Sequence, residues 1–157
     1  MFKIETKEDL ECVNSTTEHK ILVKDLLYNF AEVIKQRADS HDQSKLEVPE
    51  FGLFSELTPR LAQTTYGSEE YKKTLDQLKI ALDHHYANNR HHPEHFKNGI
   101  NDMTLIDLLE MVIDWYCASK RHNDGNIYKS LEINTTRFNI SEQLVRVFKN
   151  TIELILN

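Results

Sequence analysis

The chain has 157 residues and a formal net charge of −6, from 25 acidic and 19 basic residues. At 39% hydrophobic and 28% charged it has the balance of a soluble globular chain, read here as one domain spanning residues 1–157. The acidic balance disfavours general nucleic-acid binding. Four glycines and three prolines are too few for a many-turned β-sandwich or a glycine-rich phosphate loop, and two distant cysteines, Cys12 and Cys117, exclude a disulfide framework.

No run approaches the roughly 20 apolar residues of a membrane span. The first ten residues lack the apolar stretch of a signal peptide, so a cytoplasmic location without membrane contact is expected. Apolar residues at helical spacing predict a first long helix over residues 17–38, capped by Thr16 or Thr17 and ended by Asp39-Ser40-His41-Asp42. Residues 53–66 are ambiguous; Pro59 can open a helix at Arg60. Ser68, Glu69 and Glu70 begin a second long helix reaching about Tyr86, ended by Asn88-Asn89 and Pro93. Residues 92–96 read as a short turn closed by Gly99. A third long helix covers residues 104–121, capped by Thr104 or Asp102. A short helix over residues 126–137 and a last helix capped by Ser141 complete the chain. No segment alternates with period two. The expected class is all-α, a single bundle of about five to seven helices.

Histidine is the unusual residue. There are eight, and five of them fall in the twelve residues from His84 to His95. His85 lies on the apolar stripe of Leu75, Leu78 and Leu82, whereas His84 turns about 100° away towards the polar face. His91 and His92 follow past the helix end, where they can fold back over the same place. Neutral imidazoles are common transition-metal ligands. His41-Asp42 offers one nitrogen and one oxygen to a divalent cation; a helix cap followed by a turn is the alternative. His19 shares a face with Leu22, Val23, Leu26 and Phe30, as a core histidine or a ligand. On the third helix, Asp107, Glu110 and Asp114 form an acidic stripe. Asp114, between Ile113 and Trp115, reads as the deepest and needs a metal or a histidine as partner. His84, His95 and His122 read as surface or supporting residues.

The order His19, His41-Asp42, Asp114 on an all-helical chain resembles the HD-domain superfamily of metal-dependent phosphohydrolases. The resemblance covers about residues 17–121, and Lys45 extends it to His-Asp-x-x-Lys. The stretch from His84 to Phe96 is also similar to a family of small bacterial and phage proteins that carries no function of its own. The HD resemblance implies that His19, His41, Asp42 and Asp114 hold one divalent ion. It further implies that Asp42 bridges to a second, completed by His85 and by His91, His92 or both. The metal is Mn, Fe, Co, Ni, Zn or Mg. The implied reaction is hydrolysis of a small phosphorylated, nucleotide-like substrate by metal-activated water, with Asp42 and Lys45 as catalytic residues. Arg90, Lys120 or Arg121 would stand at the rim, and Phe51, Phe54, Tyr66 and Tyr86 are candidates for a base pocket. No Gly-Tyr-Pro follows the histidine pair, which departs from the cyclic-dinucleotide phosphodiesterases. Two other readings remain: a di-iron oxygenase on the same ligands, and a non-enzymatic helical metal-binding or interaction protein.

Overall fold

A computed structural model describes residues 3–63, 68–120 and 125–156. Among these it contains six α-helices and no strand: α1 Lys7–Ser40, α2 Glu50–Gln63, α3 Glu69–Asn88, α4 Leu105–Ser119, α5 Ile127–Phe138 and α6 Glu142–Leu156. Three short 3-10 turns, Gln43–Leu46, Pro93–His95 and Gly99–Asp102, join them. The all-α expectation holds. The chain divides into two compact units, Met1–Ser40 and His41–Asn157.

The first unit is α1. It starts ten residues earlier than the apolar periodicity suggests, because its cap is elsewhere. Thr6 Oγ1 accepts from the Asp9 backbone N–H at 3.1 Å, and Asp9 Oδ2 accepts from the Thr6 N–H at 2.9 Å. This reciprocal capping box satisfies two backbone donors at the helix start. Thr16 and Thr17, expected as caps, lie inside the helix. On α1 taken by itself, His19, Leu22, Val23, Leu26 and Phe30 are exposed.

The second unit has two helical groups. In one, Leu57 of α2 packs against Leu78 and Ala81 of α3, with Leu53, Phe54 and Leu82 around them. Pro59 does not open α2 but sits inside it. An internal proline costs about 3 kcal/mol, and burial of Leu57, about 1.5–3 kcal/mol for a fully buried side chain, together with partial burial of Leu53 and Phe54, offsets it. In the other group, Met111 and Val112 of α4 join Ile127, Leu131, Ile140, Phe148 and Ile152. Trp115 stacks on Phe138 at 6.1 Å between ring centres. Thr104 caps α4 in a capping box with Asp107, Asn126 caps α5, and Ser141 Oγ accepts from Leu144 N at the start of α6. Residues 89–104 connect the two groups and are tightly turned. Gly99 there has φ +58°, a conformation glycine adopts without strain.

Candidate metal centre

The centre lies within the second unit, where five short segments meet. His41 and Asp42 precede the Gln43–Leu46 turn, Glu50 begins α2, and His84 and His85 lie in the last turns of α3. His91 and His92 follow α3, and Glu110 and Asp114 lie on α4. Asp42 has φ 57°, in the left-handed region. For a residue other than glycine this conformation costs about 1–3 kcal/mol and persists where the surroundings hold it. Here His85, His91 and Lys45 surround its carboxylate.

Asp42 Oδ1 lies 3.3 Å from His85 Nε2 and 3.5 Å from His91 Nε2. His85 Nε2 is 2.9 Å from His92 Nε2. Asp42, His85, His91 and His92 thus each bring one ligand atom into a cluster no more than 4.8 Å across. A second cluster, His41, Asp42 and Asp114, shares Asp42 with the first, and a third grouping, His41, His91 and Glu110, shares one histidine with each. His41 Nε2 lies 3.6 Å from both Asp42 Oδ2 and Asp114 Oδ1. Two nitrogens bound about 2.1 Å from one ion at right angles stand about 3 Å apart. These spacings fit ligands around a cation. Asp42 Oδ1 and His91 Nε2 are buried yet make no hydrogen bond. Buried polar atoms normally have partners, and a cation between these two would supply one. The imidazole and carboxylate donors suit a divalent transition metal or Mg²⁺.

Two glutamates stand behind the imidazoles. Glu50, fully buried, accepts from His84 Nδ1 at 2.7 Å and from His85 Nδ1 at 2.9 Å. Glu110 Oε1 accepts from His41 Nδ1 at 2.8 Å and faces His91 Nδ1 at 3.0 Å. An ionised carboxylate only accepts, so each ring nitrogen facing it carries the proton. The Nε2 atoms of His41, His85 and His91 thus face Asp42, and a cation that displaces any proton there would meet their lone pairs. Metal-binding histidines characteristically donate their other N–H in this way. Asn89 Nδ2 braces the end of α3, donating to the His85 carbonyl at 2.8 Å and to Ser44 Oγ at 2.7 Å.

The electrostatics follow from this packing. Asp114, then Glu110, raise His41 to about 10 against the cost of burial. Burial opposes the charge on Asp42, but His85, His91 and Lys45 outweigh it and hold the carboxyl far below its usual range. Burial likewise opposes the charges on Asp114 and Glu50. His41 and His91 keep the first low, and His84, Ser44 and His85 the second. His91 is raised, since Asp42 and Glu110 overcome its desolvation. His92 goes the other way, to about 3, through burial and then the neighbouring His91 and His85.

Of the residues singled out in the sequence, His41, Asp42, His85, His91, His92 and Asp114 converge in the two clusters. His19 lies on α1 and is absent from both. His85 is 2% exposed, as its stripe position requires. The order of depth along α4 is the reverse of that expected. Asp107 is 0% exposed, whereas the Asp114 side chain is 20% exposed. Asp107 is deep because Arg90 forks onto it, Nε at 3.1 Å and Nη2 at 3.0 Å, and because it closes the Thr104 capping box. Arg90 therefore stands against α4 and over the Phe96 ring rather than at a rim. Lys120 lies over Tyr116. Lys45 donates to Asp42 Oδ2 at the more exposed edge of the centre. Phe54 meets His85 edge-on and Tyr86 tilts against His92, so both pack on the imidazoles, while Phe51 is exposed. His95 donates to the Tyr86 carbonyl and ties its turn to α3. Tyr66, Arg121 and His122 lie outside the described residues. Glu50 and Glu110 as imidazole acceptors were missed. The available signal was the excess of histidines, which need acceptors when buried.

The fold and site define an all-helical protein with a clustered carboxylate–histidine centre able to chelate a metal ion. The chain belongs to the family described as "Family of unknown function (DUF5662)", which matches residues 8–157. No curated protein and no solved structure matches it.

Proposed function

We propose that the protein is a metal-dependent phosphohydrolase of HD type, acting on a small phosphoester such as a nucleotide. The supporting observation is that one carboxylate, Asp42, belongs to two overlapping clusters of ligands. Asp42, His85, His91 and His92 would hold one divalent cation, and His41, Asp42 and Asp114 a second. Bound there, the cations supply Lewis acidity that activates water and offsets charge on phosphoryl oxygens. His85 and His91 are buried, so they keep bulk water from the inner side. His41, Asp42 and Asp114 are partly exposed, so a phosphate approaches from their side. Lys45 presents an ammonium at that edge, suited to a phosphoryl oxygen.

The test is a screen of nucleotides and simple phosphomonoesters with Mn²⁺, Co²⁺, Ni²⁺ or Mg²⁺. Turnover that disappears with bound metal in His41→Ala and Asp42→Ala supports the proposal. Unchanged metal content in both variants would overturn it. Retained iron with oxygen consumption and no phosphoester turnover would replace it with the oxygenase reading.

A further inference from the structure

Glu110 stands between the two clusters. Its Oε1 is 2.8 Å from Nδ1 of His41, a member of the outer cluster, and 3.0 Å from Nδ1 of His91, a member of the inner one. The two imidazoles lie against each other, ring centres 4.4 Å apart. Glu50 is arranged differently. It takes His84 on Oε1 and His85 on Oε2, so its two imidazoles do not share an oxygen.

The geometry points to Glu110 as a positioning residue common to both cation sites: one carboxylate oxygen fixes the ring of a ligand in each. This rests on the metal centre proposed above. The rival is that Glu110 is itself a ligand, since Glu110, His41 and His91 also group closely enough to hold an ion. Ligation there would use the Nδ1 atoms that face Glu110. It would leave Asp42 Oδ1 and His91 Nε2 buried and unpaired on the other side of the ring. A cation on the Nε2 side satisfies both atoms and leaves the Nδ1 protons on Glu110. The two arrangements differ in which ring nitrogen carries the metal, and that is measurable.

The experiment uses the full ¹⁵N-labelled chain loaded with Zn²⁺ alone, read by long-range ¹H–¹⁵N correlation of the histidine rings. In the wild type, His41 and His91 are expected to carry protons on Nδ1 and zinc on Nε2. Glu110→Gln keeps the size but exchanges one acceptor oxygen for a donor amide. It should disturb the His41 and His91 rings together and leave His85, held by Glu50, as it was. Both zinc-binding steps should weaken, by about 10–100-fold. Zinc on Nδ1 of His41 or His91 in the wild type overturns the inference without requiring any variant to fold. An effect confined to one ring or one binding step, or no effect, also overturns it while leaving the metal centre intact. A wild type that binds no zinc removes the centre itself and the inference with it.

Discussion

Asp42 Oδ1 and His91 Nε2 face each other at 3.5 Å, both buried and neither hydrogen-bonded. Each is anchored from behind: Asp42 by Lys45 on its other oxygen, His91 by Glu110 on its other nitrogen. Two polar atoms held this firmly without a bond between them form a site that a cation would complete. Asp42→Asn removes the negative charge of the one carboxylate shared by both clusters and replaces one of its oxygens with a donor amide. The expected result is loss of bound metal from both, read as metal-to-protein stoichiometry after dialysis, with the helical circular dichroism retained.

Glu50 offers a subtler test, because it touches the inner cluster only through His85 and His84. Glu50→Gln removes the acceptor that fixes the His85 tautomer. Affinity at the inner cluster should fall by about 10–100-fold, measured by competition with a chelator. An unchanged affinity would mean that the His85 tautomer is set by something other than Glu50.

The metal-free chain should be most stable near pH 6.5. His41 is raised from 6.5 to about 10, so the folded state binds the extra proton over that interval. Its contribution is fully present below pH 6.5 and is lost as the pH rises towards 10. His91, also raised, acts in the same direction. His92 is lowered from 6.5 to about 3, so the unfolded chain binds the extra proton there. Stability therefore also falls as the pH drops from 6.5 towards 3, and the depressed carboxyls of Asp42, Asp114 and Glu50 steepen that limb further down. Urea titrations of chelator-treated protein across this range check the shape, and His92→Gln should flatten the first part of the acid limb. Metal binding to the clusters must displace the His41 and His91 protons, so affinity should rise with pH.

Asp107 separates structural from ligating carboxylates on one helix. It is buried, takes the Arg90 fork and closes the α4 capping box. Asp107→Ala should cost roughly 1–2 kcal/mol in a urea melt, mainly from the lost cap, since the Arg90 guanidinium it pairs with is half exposed and stays solvated. At saturating metal the stoichiometry should match the wild type. Asp114→Ala should instead lose metal at the outer cluster.

These residues also mark how far the sequence could be read. In the second unit α4, α5 and α6 were legible because apolar spacing and local caps coincide: Thr104, Asn126 and Ser141 all lie where the periodic stripe begins. Helix α2 was not, because Pro59 reads as a helix start and lies inside it. The start of α1 was not, because the Thr6–Asp9 box precedes its apolar stripe by ten residues. His85 could be placed inward from its stripe alone. Glu50 could not, since its partners are 34 and 35 residues away and no local pattern connects them. Glu110 meets His41 across 69 residues for the same reason. Neighbouring apolar residues suggested that Asp114 was the deepest acid on α4. Depth is in fact set by Arg90, which reaches Asp107 from another segment.

The most direct measurement is anomalous diffraction at the manganese edge from crystals of the full chain grown with Mn²⁺. The expected result is a peak within coordination distance, about 2.0–2.3 Å, of Asp42 Oδ1 and the Nε2 atoms of His85, His91 and His92. A second peak is expected between His41, Asp42 and Asp114. No peak at either position, with manganese present throughout the crystal, would contradict the assignment of this cluster as a metal centre.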